Sequence, residues 1–453
     1  MNFFSQAKRL IFFVLLFDLT GCGGSSPVEG LYTAITADDV EIKIKRYRPD
    51  PRENYLNSQP IILFPSLLTN INMFETHTPK GKEWAYRRMS LPNNIASWAE
   101  NDEYIADDPM VYYSLAHYLW TQGYDVWMAN YRGIGRGDFA SEKGNLRTNM
   151  DVWAALDVPA VIDKVMDVTG KKPVIGGHST GGLVTYLYLQ GIHMDARAAK
   201  KGDYVPHLES SEVLALERNN NIAGFLGLDP AGSPPLAYEA LIDSGLVWTV
   251  LSQPWYIDLD LVVGDVIMPA VPTTLTSGAI SFIFSSISNL ADAFPEGLLP
   301  GYADVFGALD FWHVENMNRY TEDYIGRLGL SSMYLRTLAQ YADWGINGVF
   351  REHWMNGEEN SHLTVPPDAM EGDGYYYYAD YMDRMTVPAL SFFSSSSALV
   401  NTEVMVELIY NGKTPHPLDQ WLEVSGTGHL DVVMSDNTPA TMFPRIGQWL
   451  SEL

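Results

Sequence analysis

One stretch constrains the fold of this chain more than any other, the segment from Lys172 to Gly182, which reads KPVIGGHSTGG. Its first half, Pro173 to Ile175, is a short apolar run typical of a buried strand, and the apolar residues after the segment recur at helical spacing. Between the two lies Ser179, flanked by Gly177 and Gly181. Residues without a Cβ allow the neighbouring segments to approach closely at such a turn. The stretch therefore predicts a strand, a sharp turn and a helix, with the Ser179 hydroxyl held above the sheet edge.

The turn indicates a nucleophile at Ser179, although the pattern of residue types alone is weak. With glycine and serine each near 7% of residues, a GxSxG pattern arises by chance in roughly one chain in seven of this length, where it marks only a tight structural turn. The strand before it, the helix after it and a second glycine at Gly182 favour the nucleophile. The backbone N–H of Thr180 is near the helix N-terminus, where it can stabilise a developing oxyanion. His178 adjoins the serine and is expected to line the pocket.

Composition excludes several classes of function. The chain has 453 residues, of which 46% are hydrophobic, enough for one α/β domain with a large insertion or for two or three average domains. Its formal net charge is -26 and no basic cluster stands out, so nothing would offset repulsion from a phosphate backbone. We therefore expect no nucleic-acid partner. Acidity of this size is typical of a soluble, self-repelling surface.

The N-terminal residues have the three parts of an export signal. Two basic residues precede an apolar run from Leu10 to Phe17, which is too short to span a bilayer as a mature helix. The next segment, Leu19 to Cys22, reads LTGC and resembles the lipobox of bacterial lipoproteins, in which the cysteine is lipidated and becomes the mature N-terminus. We therefore expect residues 1–21 to be a signal peptide and residues 22–30 to be a lipidated tether.

Cys22 is also the only cysteine in the chain. A single thiol at the place of an acyl anchor argues against a coincidental buried cysteine, and it excludes an internal disulfide framework. By resemblance to such lipoproteins, Gly23 rather than an aspartate after the cysteine favours sorting to an outer membrane. The sequence thus predicts a cell-envelope lipoprotein of a Gram-negative bacterium, attached to the membrane through Cys22. No protein partner is evident from the sequence.

Strands alternate with helices through much of the chain. Apolar strands are predicted at Pro60 to Phe64, Tyr124 to Ala129 and Ile222 to Leu228, with one helix before the serine strand and another after it. After a long interruption the strand pattern resumes at Val387 to Phe393 and at Trp421 to Val424. This alternation predicts an α/β fold, a mostly parallel twisted sheet with helices on both faces and with reactive groups at the carboxyl ends of the strands.

We interpret the interruption as a large cap inserted into the sheet domain. From residue 233 to 385 the regular pattern is lost and aromatic residues crowd together, while prolines and aspartates interrupt every apolar run, so no membrane span is expected. The sheet domain is thereby divided into residues 31–232 and 386–453. Two interpretations of the apolar residues are open: they form the cap's own core, or they line an acyl-binding groove.

A serine hydroxyl needs a base within hydrogen-bond reach, and the base needs a carboxylate that orients its imidazole. His429 fits the base because it lies in a glycine-rich loop after the last predicted strand, late in the chain. Asp229, directly at a strand terminus and followed by Pro230, is the favoured acid, with Glu403 as the alternative. Asp431, two residues after the histidine, is expected to tie down its own loop.

The second oxyanion donor in such an architecture comes from the loop after the third strand. This nominates the backbone N–H of Leu67, beside that of Thr180. No cluster of His, Cys and Glu residues has the spacing of a metal site, so neither a metal nor another cofactor is expected.

With these residues in view, the chain resembles the acid (gastric and lysosomal) lipase family of α/β-hydrolases. The likeness is co-linear and rests on these segments: Leu67–Leu68, Gly123–Trp127, Asn130–Gly133, Asp157–Ala160, Ile162–Asp163, Gly177–Gly181 and His429–Asp431. The resemblance implies an α/β-hydrolase fold, a cap between the sixth and seventh strands and the hydrolysis of lipid-like carboxylic esters.

The sequence departs from that family at two places. The family's His-Gly before the oxyanion leucine is Pro65–Ser66 here, and the family's acid after the seventh strand falls in the run Ser394–Ser397. In contrast, Gly227–Ala231 resembles the pancreatic lipase group, whose acid follows the sixth strand. This second resemblance agrees with the choice of Asp229.

Together these features predict a lipid-anchored serine hydrolase, an esterase or lipase that acts on a lipid-like ester through an acyl-enzyme. One alternative is an acyltransferase or polyester depolymerase on the same triad. The other is a catalytically inactive lipid-binding envelope protein that kept the fold. This alternative is suggested by the two departures from the family, Pro65–Ser66 and the run Ser394–Ser397.

Overall fold

The computed structural model describes residues 28–49, 59–232, 245–261, 268, 313–397 and 399–453. The predicted signal peptide and Cys22 lie outside the described residues, as does much of the predicted cap. Within the described ranges, no helix is both long enough and apolar enough to cross a bilayer.

Eight strands in the described part of the chain form one sheet. They are β1 Val28–Ile35, β2 Glu41–Arg48, β3 Pro60–Phe64, β4 Asp125–Ala129, β5 Val174–His178, β6 Gly224–Leu228, β7 Ala389–Ser394 and β8 Gln420–Val424. Their order across the sheet is β1-β2-β4-β3-β5-β6-β7-β8. Strand β2 is antiparallel to both β1 and β4, and the other neighbours are parallel. The predicted mostly parallel sheet is therefore confirmed.

The strand bounds differ from the predicted ones by a few residues. Strand β4 begins at Asp125 rather than Tyr124, and β6 begins at Gly224 rather than Ile222. Strand β1 begins inside the predicted tether of residues 22–30, because Val28 already pairs with Arg48 of β2. Residues 28–30, assigned to the tether from the sequence, are thus part of β1, and the tether itself stays a prediction.

Helices cover both faces of the sheet. The main ones are α1 Leu115–Thr121, α2 Val158–Thr169, α3 Thr180–Leu189, α4 Glu212–Asn221, α5 Leu335–Asn347 and α6 Thr438–Leu450. Shorter α-helices span Glu83–Tyr86, Glu103–Asp107, Met150–Val152, Ala196–Lys201, Gly245–Leu251, Arg319–Tyr324, Thr402–Val406 and Asp431–Met434. Turns of 3-10 or π-helix span Ile71–Met73, Ser97–Ala99, Pro109–Tyr113, Gly137–Phe139, Trp153–Asp157, Val314–Asn316, Ile325–Gly329, Tyr378–Arg384 and Glu407–Asn411. Two-residue strands pair Ile192–His193 with Glu209–Ser210 and Tyr256–Ile257 with Met333–Tyr334.

The sequence sets the end of α2, which leads into the serine strand. Helical backbone runs from Met150 through the π-helical turn Trp153–Asp157 into α2, and Pro159, which has no N–H to donate, lies just after that turn. Gly170 ends the helix with a φ of 65, a left-handed conformation that glycine adopts without a Cβ penalty, and its N–H donates to the Met166 carbonyl. The short link to β5 then delivers the chain to the edge where Ser179 lies.

The two faces of the sheet carry separate hydrophobic cores. In β3, Ile62 and Phe64 belong to the core that α2 and α3 cover, whereas Ile61 and Leu63 belong to the core that α1 and α6 cover. All four side chains are fully buried. A strand buried on both faces reads as a continuous apolar run, and this is why the sequence pattern located it.

The register of the parallel strands places four strand ends at one edge. Phe64 of β3 pairs with Gly177 of β5, while Leu228 of β6 pairs with both His178 and Phe392. The residues that follow β3, β5, β6 and β7 therefore emerge side by side. In open α/β sheets this carboxyl edge is where ligands bind.

The described part of the predicted cap packs both on itself and on the sheet domain. Trp248, Leu335 and Trp354 belong to a small hydrophobic cluster of their own. In contrast, Trp344 and Tyr378 join the core over α2 and α3. Trp248, Trp344, Trp354 and Tyr378 thus serve as core, whereas Trp255 is exposed. The boundaries at 233 and 385 stay predictions.

Candidate active site

Ser179 lies at the turn between β5 and α3. Its φ of 53 and ψ of -116 are unusual for a residue with a side chain. The Ser179 N–H donates to the Leu228 carbonyl at 3.0 Å, and the Ser179 carbonyl accepts from the Ala231 N–H at 3.0 Å. These bonds to β6 and to the turn after it hold the strained backbone in place. The side chain is 6% exposed, so the hydroxyl is shielded from bulk water.

The glycines around Ser179 have a direct steric reason. A Cβ on Gly177 would lie 2.1 Å from the Phe64 carbonyl oxygen of β3, and a Cβ on Gly181 would lie at the same distance from the same atom. A Cβ on Gly182 would lie 2.5 Å from the Cβ of Pro230. Each of these distances is far below van der Waals contact. The turn can therefore approach β3 and the Asp229 turn only with glycine at these positions.

Backbone strain is concentrated at this edge of the sheet. Among the described residues, four that are not glycine have a positive φ, and three of them are Leu68, Ser179 and Asp229. The fourth, Asp39, lies in the turn between β1 and β2. Such conformations persist only where the surroundings fix them, and they cluster at functional sites. The loops after β3, β5 and β6 thus share a feature typical of a reaction site.

Asp229 and His429 form a buried pair at the same edge. His429 Nδ1 lies 2.7 Å from Asp229 Oδ2. Asp229 is fully buried and His429 is 4% exposed. Asp229 immediately follows β6, and His429 lies in the loop after β8. A carboxylate at this distance fixes the Nδ1–H tautomer, which leaves the Nε2 lone pair available to a proton.

Ser394 at the end of β7 also binds this carboxylate, and sequence reasoning missed it. The Ser394 hydroxyl donates to Asp229 Oδ2 at 2.6 Å, and the Ser394 N–H donates to Oδ1 at 2.9 Å. The pairing of Leu228 with Phe392 brings the end of β7 beside Asp229. The serine run that looked like a missing acid therefore begins with a residue that supports the acid on the neighbouring strand.

The imidazole of His429 bonds to Asp229 rather than to either of the other two carboxylates considered from the sequence. Glu403 is exposed on the helix Thr402–Val406. Asp431 is fully buried and its Oδ2 accepts from Asn316 Nδ2 at 2.7 Å, which ties down the loop as expected. Burial raises the pKa of Asp431 above its ordinary value, an effect that the Asn316 hydrogen bond opposes.

His178 does not line an open pocket, contrary to the sequence interpretation. Its ring is fully buried, and burial lowers the pKa of His178 well below its ordinary value, so the ring is neutral. Its Nε2 lies 2.7 Å from the His429 carbonyl oxygen and therefore carries the proton. The centroids of the two imidazoles are 4.6 Å apart. The residue before Ser179 thus holds the backbone of the His429 loop against the serine turn.

Leu67 and Thr180, the two residues nominated as oxyanion donors, are in contact. Thr180 opens α3, and Leu67 lies in the loop after β3. The Leu67 N–H donates to the Thr180 hydroxyl at 3.3 Å, the long end of the hydrogen-bond range. The turn at Pro65–Ser66 is closed, since the Ser66 N–H donates to Thr69 Oγ1 at 3.0 Å.

The structure thus places the turn of Ser179 and Thr180 at the same sheet edge as Asp229, His429 and Leu67, which come from distant parts of the sequence. The side chain of Glu403 is exposed on the helix that follows β7. Among the described residues, no group of three or more His, Cys, Asp and Glu side chains is arranged to hold a metal ion.

Comparison with known proteins agrees with this architecture. The family profile described as the alpha/beta hydrolase fold matches residues 90–192, which include the Ser179 turn. The sheet order and the crossover helices on both faces are those of the same fold. The chain has the α/β-hydrolase fold.

The chain also matches a curated lipase over a short segment. It is 37% identical over 76 residues to Lipase lipl-3 of Caenorhabditis elegans, which is 15% of this chain and 18% of that lipase. The chain therefore spans less than a fifth of the length of the curated relative that it matches.

Solved structures similar to the chain include an esterase and a lipase at low sequence identity. A thermophilic esterase from Thermogutta terrifontis shares 13% identity and a TM-score of 0.45, with 93% of this chain and 98% of that chain covered. A soluble variant of monoglyceride lipase from Saccharomyces cerevisiae, solved with a substrate analog, shares 12% identity and a TM-score of 0.46, with 96% and 98% covered.

Proposed function

We propose that the protein is a serine hydrolase that cleaves carboxylic esters, an esterase or lipase that works through an acyl-enzyme. The observation that carries the proposal is the buried Asp229–His429 pair at the sheet edge that holds the strained Ser179 turn. Burying a carboxylate costs free energy unless a partner such as an imidazole offsets the loss of hydration. A buried pair of this kind is therefore a strong candidate for a catalytic role. The pair lies at the same sheet edge as Ser179, whose hydroxyl needs a base, and the residue before Ser179 bonds to the His429 carbonyl.

In this proposal Ser179 attacks the ester carbonyl carbon while His429 Nε2 removes the hydroxyl proton. Asp229 holds the Nδ1–H and stabilises the imidazolium that forms. The backbone N–H groups of Leu67 and Thr180 stabilise the negative oxygen of the tetrahedral intermediate. The alcohol leaves with the proton from His429. Water, deprotonated by His429, then attacks the acyl-enzyme, and the Ser179 oxygen leaves with that proton as the carboxylic acid is released.

An apolar groove near the serine supports a lipid-like acyl group as substrate. It encloses about 310 Å³ and is lined by Gly232, Val349, Phe350, Val404 and Leu408, among others. The groove is within the usual range of ligand pockets, which begins at about 300 Å³. Gly232 directly follows Ala231, whose N–H binds the Ser179 carbonyl, so the backbone links one wall of the groove to the turn of the proposed nucleophile.

The remaining parts of the proposal rest on the sequence. The segment Leu19–Cys22 supports lipidation of Cys22 and attachment to the outer membrane, where a lipid-like ester would be at hand. The short match to a lipase supports the same substrate class. The resemblance to the acid lipase family supports it as well.

The test is a series of p-nitrophenyl esters from acetate to palmitate, assayed with wild type and Ser179→Ala. We expect Ser179→Ala to lower kcat by about 10⁴-fold or more for every ester, because the nucleophile is lost. Equal rates for the two proteins would rule out Ser179 as the nucleophile and with it the proposed function.

A second variant of the same series tests the groove. Val404→Trp adds bulk to the groove wall, so we expect it to lower kcat/KM for palmitate at least tenfold and to leave acetate unchanged. Val213→Trp is the matched control, because Val213 is 76% exposed on α4 and does not line the groove. A parallel loss for acetate and palmitate would show that the groove does not hold the acyl chain.

A further inference from the structure

The loop that carries Leu67 is clamped by a segment from the predicted cap. We define residues 65–70 as the oxyanion loop. The Ser331 N–H donates to the Leu68 carbonyl at 2.8 Å, and the Asn70 N–H donates to the Gly329 carbonyl at 3.1 Å. These bonds join segments more than 250 residues apart in the sequence. The position of the oxyanion loop is therefore set by the cap segment as well as by β3.

A second link from the cap reaches the proposed oxyanion site through side chains. Tyr341 lies on α5, and its hydroxyl oxygen is 2.9 Å from the hydroxyl oxygen of Thr180. The Thr180 hydroxyl in turn accepts from the Leu67 N–H at 3.3 Å. Thr180 is fully buried, and the Tyr341 ring packs edge-on against Trp344 with centroids 4.9 Å apart. A chain of three polar groups thus runs from α5 to the oxyanion loop.

The protons of these groups limit what Thr180 can do. A threonine hydroxyl has one proton and can accept two hydrogen bonds. When the Leu67 N–H and the Tyr341 O–H both donate to it, the Thr180 proton is left for a third oxygen. Because the Leu67 nitrogen and Thr180 Oγ1 are 3.3 Å apart, one substrate oxygen can lie at about 2.9 Å from both.

We propose that the Thr180 hydroxyl is a third donor to the oxyanion, and that Tyr341 of the cap orients it. This inference rests on the proposed function and deepens it. Without substrate, the Leu67 N–H makes its long bond to a lone pair of the Thr180 hydroxyl oxygen. A bound carbonyl oxygen accepts from the Leu67 N–H and the Thr180 O–H together, and both bonds strengthen as that oxygen becomes negative, since charge-assisted hydrogen bonds are the stronger ones. Thr180 would touch the reacting oxygen, whereas Tyr341 is a positioning residue.

The arrangement makes catalysis depend on how the cap is seated. Displacement of α5 would remove the Tyr341 hydroxyl from Thr180, and the Thr180 proton would lose its fixed direction. Preorganised donors contribute most when they need no reorientation during the reaction. An ester that seats the cap correctly would therefore be hydrolysed faster, not only bound more tightly.

The experiment compares steady-state hydrolysis of p-nitrophenyl butyrate by Thr180→Val, Thr180→Ser and Tyr341→Phe. We expect Thr180→Val, which removes the hydroxyl at nearly constant shape, to lower kcat about 10²-fold with little change in KM. Thr180→Ser keeps the hydroxyl and should stay within a few-fold of wild type, which excludes a folding defect as the cause. We expect Tyr341→Phe to lower kcat about tenfold, because the donor is misdirected rather than lost.

The control for Tyr341→Phe is Tyr375→Phe, which also removes a hydroxyl from the cap segment. The Tyr375 hydroxyl donates to the Trp354 carbonyl at 2.9 Å rather than to Thr180. Tyr375→Phe should leave kcat unchanged. The double variant Thr180→Val with Tyr341→Phe should be no slower than Thr180→Val alone, because Tyr341 acts through Thr180. Wild-type kcat for Thr180→Val, or a further tenfold loss in the double variant, would overturn the inference. Either result would leave the proposed function standing if Ser179→Ala is inactive, so the two failures are distinguishable.

Discussion

At the scale of single residues, the carboxylate that orients His429 and the hydroxyl that binds this carboxylate come from the ends of two neighbouring strands. Asp229 after β6 supplies the carboxylate, and Ser394 at the end of β7 binds both of its oxygens. These strand ends are adjacent in the sheet, so a carboxylate on either one could reach the imidazole of His429. The chain has placed the charge on β6 and a neutral hydroxyl on β7. A second carboxylate at Ser394 would instead repel the first.

This division predicts different outcomes for the two acids considered from the sequence. Asp229→Asn should lower kcat by about 10³ to 10⁴-fold, because an amide can no longer hold the Nδ1–H tautomer of His429. Glu403→Gln should leave kcat unchanged, since Glu403 is exposed and His429 Nδ1 is paired with Asp229 instead. Both are measured with p-nitrophenyl butyrate. A loss confined to Glu403→Gln would reverse the assignment of the acid.

The sequence nominated the residues whose chemistry is local and missed those whose role comes from distant contacts. Ser179 and its glycines are contiguous, and Asp229 directly follows an apolar strand, so pattern and position were enough. The bond of Ser394 to Asp229 spans 165 residues, and that of His178 to the His429 carbonyl spans 251. Only the strand order places such groups together.

At the scale of elements, buried polar groups fasten the cap segment to the sheet domain. Asp151, at the start of the helix that leads into α2, accepts from Gln340 of α5 and from the His353 N–H. Burial, with the nearby charge of Glu352, raises the pKa of Asp151 to about 6. Glu352 itself lies 2.8 Å from His207 Nδ1. The network ties α5 to the domain that carries Ser179.

The His207 ion pair predicts a loss of stability in alkaline solution. The hydrogen bond to Glu352, opposed by partial burial and helped by Glu359, raises the pKa of His207 to about 9. Since the folded pKa exceeds the ordinary value of 6.5, the contribution is fully present below about pH 6.5 and is lost as pH rises through 9. The Tyr375 ring, 5.9 Å away, is the neutral neighbour. Asp151, with a pKa of about 6, titrates mostly below this range and is present in both of the proteins to be compared.

The measurement is the free energy of unfolding in urea at pH 6.5 and pH 9.5 for wild type and His207→Gln. The difference between the two proteins should be largest at pH 6.5 and nearly vanish at pH 9.5. His193→Gln serves as the control, because its exposed pair with Glu209 is 4.0 Å long and should contribute little at either pH. A difference that is the same at both pH values would contradict the assignment.

Elements of the sheet were predictable from the sequence, while the cap was not. Strands buried on both faces, such as β3 and β6, give apolar runs that stand out against any background. The segment from 313 to 385 instead uses short helical turns and buried polar residues such as Arg351 and Asp343, whose partners are not periodic. Its attachment through Asp151 could not be read from any local pattern.

At the scale of the whole molecule, the sequence combines a net charge of -26 with a predicted lipid anchor at Cys22. An acidic surface would be repelled by anionic lipids, so attachment to a membrane would depend on the acyl anchor rather than on the protein surface. The anchor and the sheet domain are thus expected to act independently.

This predicts that Cys22→Ser moves the expressed protein from the membrane fraction to the soluble fraction and abolishes labelling with radioactive palmitate. Hydrolysis of p-nitrophenyl butyrate should be unchanged. Gly23→Asp should keep the label but move the protein away from the outer membrane. Retention of Cys22→Ser in the membrane fraction would show that another part of the chain holds it there.

The central claim is that Ser179, His429 and Asp229 form one proton relay. The most direct measurement is the rate at which a fluorophosphonate modifies the folded protein, with the modified peptide identified by mass spectrometry. We predict a single adduct on Ser179 in wild type, formed at least about 10²-fold more slowly in His429→Gln, since the base that activates the hydroxyl is lost. An adduct on another residue, or equal rates of labelling for the two proteins, would contradict the account.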